Sequence, residues 1–165
     1  MNFVTKSKET IKPKDIAKYF LYRARLDGEL VSPLKMQKLI YYAYAWTLVK
    51  NKKKLFKENI EAWPNGPVVR TLYVDLKKYG SSPIGSEFIE DEEEIIKFKK
   101  SITKEVANTL DEVYEKYIVR SPFELVMMTH NERPWVNARK DLKPNEPSSN
   151  VISDKDIVSE FSSGR

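Results

Sequence analysis

The run from Pro33 to Lys50, PLKMQKLIYYAYAWTLVK, constrains the fold more than any other segment. Ser32 is placed to cap a helix and Pro33 suits its first position, so the run predicts a helix reaching about Lys50. Its apolar residues, Leu34, Leu39, Ile40, Ala43, Trp46 and Leu48, nearly encircle it. A helix with so little polar circumference has to lie at the centre of a core, with other elements wrapped around it. At 165 residues the chain fits one domain with room for such a core.

The flanking segments predict mostly helix. A first helix is expected over Pro13–Leu26, with Ile16, Ala17, Phe20, Leu21 and Ala24 on one face and Asp27-Gly28 as its stop. After the central helix the period changes. Lys54-Leu55-Phe56 and Asn59 to Trp63 read as two short strands around Lys57-Glu58, a small hairpin. A third helix is expected over Pro67–Tyr79, ended by Gly80, then a loop over 81–94 that turns acidic and has the composition of a mobile segment. A long fourth helix is expected from Asp91 or Glu92 to Tyr117. Ser121-Pro122-Phe123-Glu124 is a capping box opening a short helix to about His130, and Pro134 opens another to Lys140. A Pro/Asn/Ser stretch over 143–150 leads to a last short helix capped by Ser153. The expected fold is mostly α, a compact single-domain helical fold with one small β hairpin. It divides into an N-terminal extension, 1–12, a domain, 13–142, and a linker with short C-terminal helix and tail, 143–165.

Composition excludes several functions. With no cysteine there is no disulfide framework, thiolate metal site or cysteine nucleophile. No apolar run is long enough to span a bilayer and the first residues lack a signal-peptide core, so the expected location is the cytoplasm. Residues 1–57 carry fourteen Lys/Arg against four Asp/Glu, a balance of +10; the rest carries fifteen against twenty, a balance of −5. The basic cluster, Lys50, Lys52, Lys53, Lys54 and Lys57, could meet an acidic partner or nucleic acid. Few aromatics interleave with these lysines, so a solvated surface is the plainer reading and nucleic acid is not favoured.

No catalytic constellation stands out. His130 is the only histidine, and Glu132 and Asp141 near it match no metal-ligand spacing. Ser121 and Thr129 lie close in sequence but lack a nucleophile-elbow context, so His130 reads as a cap on the carbonyls of its helix. There is no phosphate-binding loop, and the chain has only five glycines. The Trp63-Pro64-Asn65-Gly66-Pro67 turn is the stiffest point of the chain, because two prolines fix φ around a permissive glycine. So rigid a junction shapes a surface or sets how two elements meet, which favours an interaction module over an enzyme. In the central helix, Tyr42 shares a face with Trp46, and Tyr41 with Tyr44. Core packing with hydroxyls at the rim explains one face; burying both in so small a protein is difficult, which leaves one for a partner. Trp63 and Trp135 each neighbour a proline, where an amphipathic ring can pin two layers together or present an anchor; for Trp63 packing is the plainer reading.

Four pieces together resemble the Panacea domain, the family of the SocA antitoxin and of many phage-associated proteins. They are Lys35 to Ala43 with Trp46; Leu55-Phe56; Ile60 to Val69 with Leu72-Tyr73; and Thr129-His130 with Pro134-Trp135 and Ala138-Arg139. The resemblance spans about residues 13–140. It implies an antitoxin, encoded beside a toxin that it neutralises by direct protein contact, with no catalytic residue, metal or cofactor. The family's best-known member also delivers its toxin to the ClpXP protease, so a ClpXP-type protease is an implied further partner. Carriage by phages and mobile elements implies an alternative: a phage protein that binds and inhibits a host defence or replication protein. The candidate partner-binding residues are Tyr41, Tyr42, Trp63, Asn65, Tyr73, His130 and Trp135.

Overall fold

In the computed structural model, which describes residues 10–163, helices supply nearly all the regular structure. In chain order these are α1 (Pro13–Leu26), α2 (Pro33–Asn51), strands β1 (Glu61–Trp63) and β2 (Gly66–Val68), α3 (Arg70–Leu76), α4 (Glu93–Ser101), α5 (Lys104–Tyr117), α6 (Pro122–His130), α7 (Arg133–Ala138) and α8 (Asp154–Phe161). The fold is mostly α with one small antiparallel hairpin, as the sequence predicts. The expected extension at 1–12 falls largely on residues 1–9, outside the described residues.

α2 is the axis. Residues 35–47 are buried without interruption, and α1, α3, α5, α6, α8 and β2 all pack against it. Its start follows the sequence: the Ser32 hydroxyl accepts from the Lys35 amide at 3.2 Å, and Pro33 holds the first turn. Both aromatic faces are buried, contrary to expectation. Tyr42 stacks on Tyr117 with centroids 4.0 Å apart, and Trp46 donates to the Tyr117 hydroxyl at 2.8 Å. Tyr41 packs edge-on to Phe161, and Tyr44 lies 4.9 Å from Phe56. The second face is closed by α8, from the segment expected to be linker and tail.

That segment, 143–163, contributes to the core. Val151 bridges Glu61 on the outer edge of β1, and Ile152, Ile157 and Phe161 are buried. The Ser153 cap holds, accepting from the Lys155 and Asp156 amides.

Four expected elements are corrected. The hairpin pairs Glu61–Trp63 with Gly66–Val68, not Leu55-Phe56 with the run after it. Pro64-Asn65 makes the reversal, while Leu55 and Phe56 bury their side chains without forming a strand. α3 starts at Arg70, three residues later than expected, because the Gln37 side chain holds the extended backbone of Val69 by its N–H at 3.0 Å and its carbonyl at 3.1 Å. The long fourth helix is two helices. Ser101 donates to the Phe98 carbonyl at 2.7 Å and Thr103 accepts from the Val106 amide at 3.2 Å, so local side-chain bonds end α4 and cap α5. The 81–94 loop is anchored: Ile84 donates from its amide to the Val31 carbonyl, and Ile84, Phe88 and Ile89 are buried.

Candidate partner-binding site

The hairpin turn presents Trp63 at the surface and fixes it from three directions. Its indole N–H donates to Glu61 at 3.1 Å, and Arg70 forks onto the same carboxylate at 2.7 and 3.1 Å with its guanidinium 5.3 Å over the ring. Burial pushes the Glu61 carboxyl up, but the hydrogen bonds from Arg70 and Trp63 outweigh it and hold the group below its usual range. Tyr73, on α3, meets Trp63 edge-on at 4.9 Å. Behind the turn, the Trp135 indole donates to the Trp63 carbonyl at 2.8 Å.

Trp135 in turn stacks on His130, centroids 4.0 Å apart and planes 13° off parallel. The His130 ring lies beside the Pro64 carbonyl of the turn. Burial pushes its pKa down, the Pro64 carbonyl opposes, and Lys38 and Arg139 add to the fall. Its Nε2 is buried with no hydrogen-bond partner among the described residues. The Thr129 hydroxyl donates to the Val126 carbonyl at 2.8 Å.

The turn rests on a buried cation. Lys38, 0% exposed, donates to the Pro67 carbonyl at 3.0 Å. Burial pushes its ammonium down to about 7. Gly66, at φ 112°, lies directly over it; a Cβ there would stand 2.6 Å from Lys38 Cε and 2.9 Å from Thr129 Oγ1. A second buried cation, Arg139, donates to the Ala62 carbonyl at 2.8 Å and to the carbonyls of Lys143, Pro144 and Glu146 at 3.0, 3.3 and 2.7 Å.

In front of this scaffold lies a groove of about 400 Å³ between the N-terminal end of α2, the turn and α3. Its walls are chiefly apolar, with Leu34, Trp63, Val68, Tyr73 and Leu76 among them. Asn65 and Lys77 stand at its rim, and no carboxylate lines it.

Three of the sequence candidates, Trp63, Asn65 and Tyr73, therefore share one groove. His130 and Trp135 form its backing. Tyr41 and Tyr42 are 0% exposed and cannot face a partner in this fold; they form the core around α2. Sequence reasoning missed Gln37, Lys38 and Arg139. The first two carry a signal, polar side chains inside an otherwise apolar helix. Arg139 stands in the sequence only as part of the fourth piece of the resemblance, because its partners lie on other segments. Of the basic cluster, Lys50 pairs with Glu112, and Lys54 with Asp154 at 3.5 Å. Among the described residues no group of three or more His, Asp or Glu is placed to hold a metal, and no helix is long and apolar enough to cross a membrane.

A family model described as "Antitoxin SocA-like, Panacea domain" matches residues 36–136, from the first turn of α2 into α7. The match includes every candidate residue and both strands. No curated protein and no solved structure matches the chain.

Proposed function

This chain belongs to the antitoxin SocA-like, Panacea domain family, and we propose from that premise that it is the antitoxin of a toxin–antitoxin pair, neutralising its toxin by direct protein contact in the cytoplasm. The family match is the observation that carries the reading, because it covers the hairpin and the groove apart from Pro33 and Leu34. A non-enzymatic role accords with the local chemistry. The Ser121 hydroxyl accepts from the Glu124 amide as a helix cap, the Thr129 hydroxyl donates to a backbone carbonyl, and the only imidazole is stacked on an indole. A rigid turn with an apolar groove and a partly exposed aromatic pair has the character of a contact surface. Delivery of the bound toxin to a ClpXP-type protease is the extension of this role that the family suggests.

Growth rescue tests the reading. The open reading frame beside this gene is expressed under tight control with and without this chain, and the tagged chain is recovered from the same cells. Toxicity that this chain relieves, together with co-purification, supports an antitoxin. A toxin half-life that shortens when the chain is present supports the adaptor role. A harmless neighbour and a pull-down that returns host defence or replication proteins overturn the antitoxin in favour of a phage effector. A His130→Ala variant that folds by circular dichroism and still neutralises supports the non-enzymatic reading; loss of neutralisation with toxin binding retained overturns it.

A further inference from the structure

We infer that the groove between α2, the Trp63–Gly66 turn and α3 is the docking site for a partner segment that presents a large apolar side chain flanked by carboxylates. Naming the toxin as the owner of that segment rests on the antitoxin reading; the chemistry of the groove does not.

The argument begins with charge. Lys77 is the only charged residue lining the groove, and it makes no ion pair among the described residues. Arg70, on the hairpin side, is held by Glu61. An occupant therefore meets an apolar trough with one unneutralised positive charge at its edge. Apolar chemistry with an adjacent anion complements that surface, and a basic segment is repelled. Asn65, exposed at the tip of the turn, makes no side-chain hydrogen bond among the described residues, so its amide is available to a peptide backbone.

The second strand of the argument is rigidity. The Trp63 ring is fixed by Glu61 and Arg70, its carbonyl by Trp135, and its face by Tyr73. Val68 and Val69 are set by the strand pairing and the Gln37 amide. Walls already in place lose little conformational freedom on binding, which is what makes aromatic residues effective anchors. Size and openness then favour a side chain on a peptide over a small ligand. About 400 Å³ accommodates one or two large side chains, yet Tyr73 remains 42% exposed and only Asn65 and Lys77 offer free polar groups. A small-molecule site encloses its ligand and converges several polar groups on it.

The probe is an acetylated five-residue peptide amide, glycine–aspartate–phenylalanine–aspartate–glycine, titrated into the full 15N-labelled chain and followed by the Trp63 indole N–H resonance. Saturable shifts confined to Trp63, Asn65, Tyr73 and their neighbours are expected. Replacing phenylalanine by alanine should abolish them. Replacing both aspartates by lysine, or Lys77→Glu in the protein, should weaken binding about three- to tenfold, the scale of an exposed ion pair reversed instead of removed. Shifts absent or located elsewhere overturn the inference, as does equal binding of the lysine peptide. Shifts at the groove that depend on protein concentration without peptide overturn it in favour of a second copy of the chain.

Growth rescue then separates the two readings. Leu34→Trp fills the groove from a partly exposed wall, and Lys77→Glu alters only its rim. Loss of neutralisation by both, with native melting temperatures, supports docking of the toxin here. Full neutralisation by both variants overturns the groove as the site and leaves the antitoxin role standing. Peptide binding as expected, in a chain that neutralises nothing, supports the groove and removes the antitoxin.

Discussion

Lys38 on the central helix and Pro67 in the second strand are joined by a 3.0 Å hydrogen bond with the lysine wholly out of solvent. This bond ties the axis of the core to the underside of the turn that bears the groove. It also puts an ammonium where burial disfavours its charge, so the group that supports the turn is one that titrates near neutrality. The turn closes over it with a glycine because a side chain would occupy the space of Lys38 itself.

Lys38 makes stability depend on pH with a definite sign. Its folded pKa, about 7, lies below the ordinary 10.5, so between those values the unfolded chain binds the extra proton and stability rises with pH. One proton sets a ceiling of about 1.4 kcal/mol per pH unit. The His130 contribution has the same sign but is complete once pH passes its ordinary value of 6.5. Tyr19, pushed up to about 12 by burial and then by Asp111, has the opposite sign but acts only above about pH 10. Lys35, lowered by burial, contributes a rise of its own, so the wild type alone does not isolate Lys38. Urea melts between about pH 7 and 9.5 should show stability increasing, with a markedly smaller slope in Lys38→Met. An unchanged slope would show that the lysine stays charged in the fold.

Gly66→Ala should be one of the most damaging small substitutions in the chain. It forces an L side chain to φ 112° and drives a Cβ to 2.6 Å from a lysine with nowhere to move. The two effects together are expected to cost about 2–4 kcal/mol. The strain at φ persists in a Gly66→Ala/Lys38→Ala double variant, but the clash does not. Thermal melts of the double-mutant cycle should therefore give a coupling of about 1 kcal/mol or more in the favourable direction. Strict additivity would place the whole cost in the backbone.

Arg139 clasps the hairpin to the segment that follows α7. Four carbonyls on two stretches, Ala62 in the hairpin and Lys143, Pro144 and Glu146 after α7, accept from one guanidinium, a geometry that an ammonium on a flexible stem cannot reproduce. Arg139→Lys keeps the charge and should still cost about 2–3 kcal/mol, with amide hydrogen exchange accelerating first at Ala62 and Ile152. Loss within about 0.5 kcal/mol would mean that water replaces the lost donors.

Legibility followed how local each interaction is. α1 begins at Pro13 in its first turn, and α2, α6 and α8 follow Ser32, Ser121 and Ser153, whose hydroxyls cap amides within three residues of them. The hairpin is legible as an element, but its partner strand is not. Leu55-Phe56 has strand composition but packs instead, and Pro67 discourages reading 66–68 as a strand. The break at Ile102 is hidden in the sequence because an apolar period runs through it, while the bonds of Ser101 and Thr103 that interrupt the helix are side-chain bonds. Of the candidate site, Trp63, Asn65 and Tyr73 could be grouped because they are close in sequence. The burial of Tyr41 and Tyr42 depends on α8, more than a hundred residues away, and no local pattern announces it.

That distant closure gives the last prediction. Phe161 lies 6.0 and 6.1 Å edge-on from Tyr42 and Tyr41 and 5.2 Å from Trp46 at 88°, so one ring at the end of the chain caps three aromatics of the axis. Phe161→Ala leaves a cavity that the rigid rings around it cannot fill, and should cost about 3–5 kcal/mol. Phe161→Leu retains most of the volume and should recover more than half of that. The Trp46 indole donates to Tyr117 beneath the same ring, so its fluorescence should shift to the red in the alanine variant before global unfolding, as water reaches a surface that α8 now covers. Urea melts followed at once by fluorescence and circular dichroism distinguish the outcomes. Coincident curves shifted to lower urea mean that α8 belongs to the cooperative core. A wild-type fluorescence transition preceding the loss of helix would make α8 a detachable unit laid on a core that stands without it.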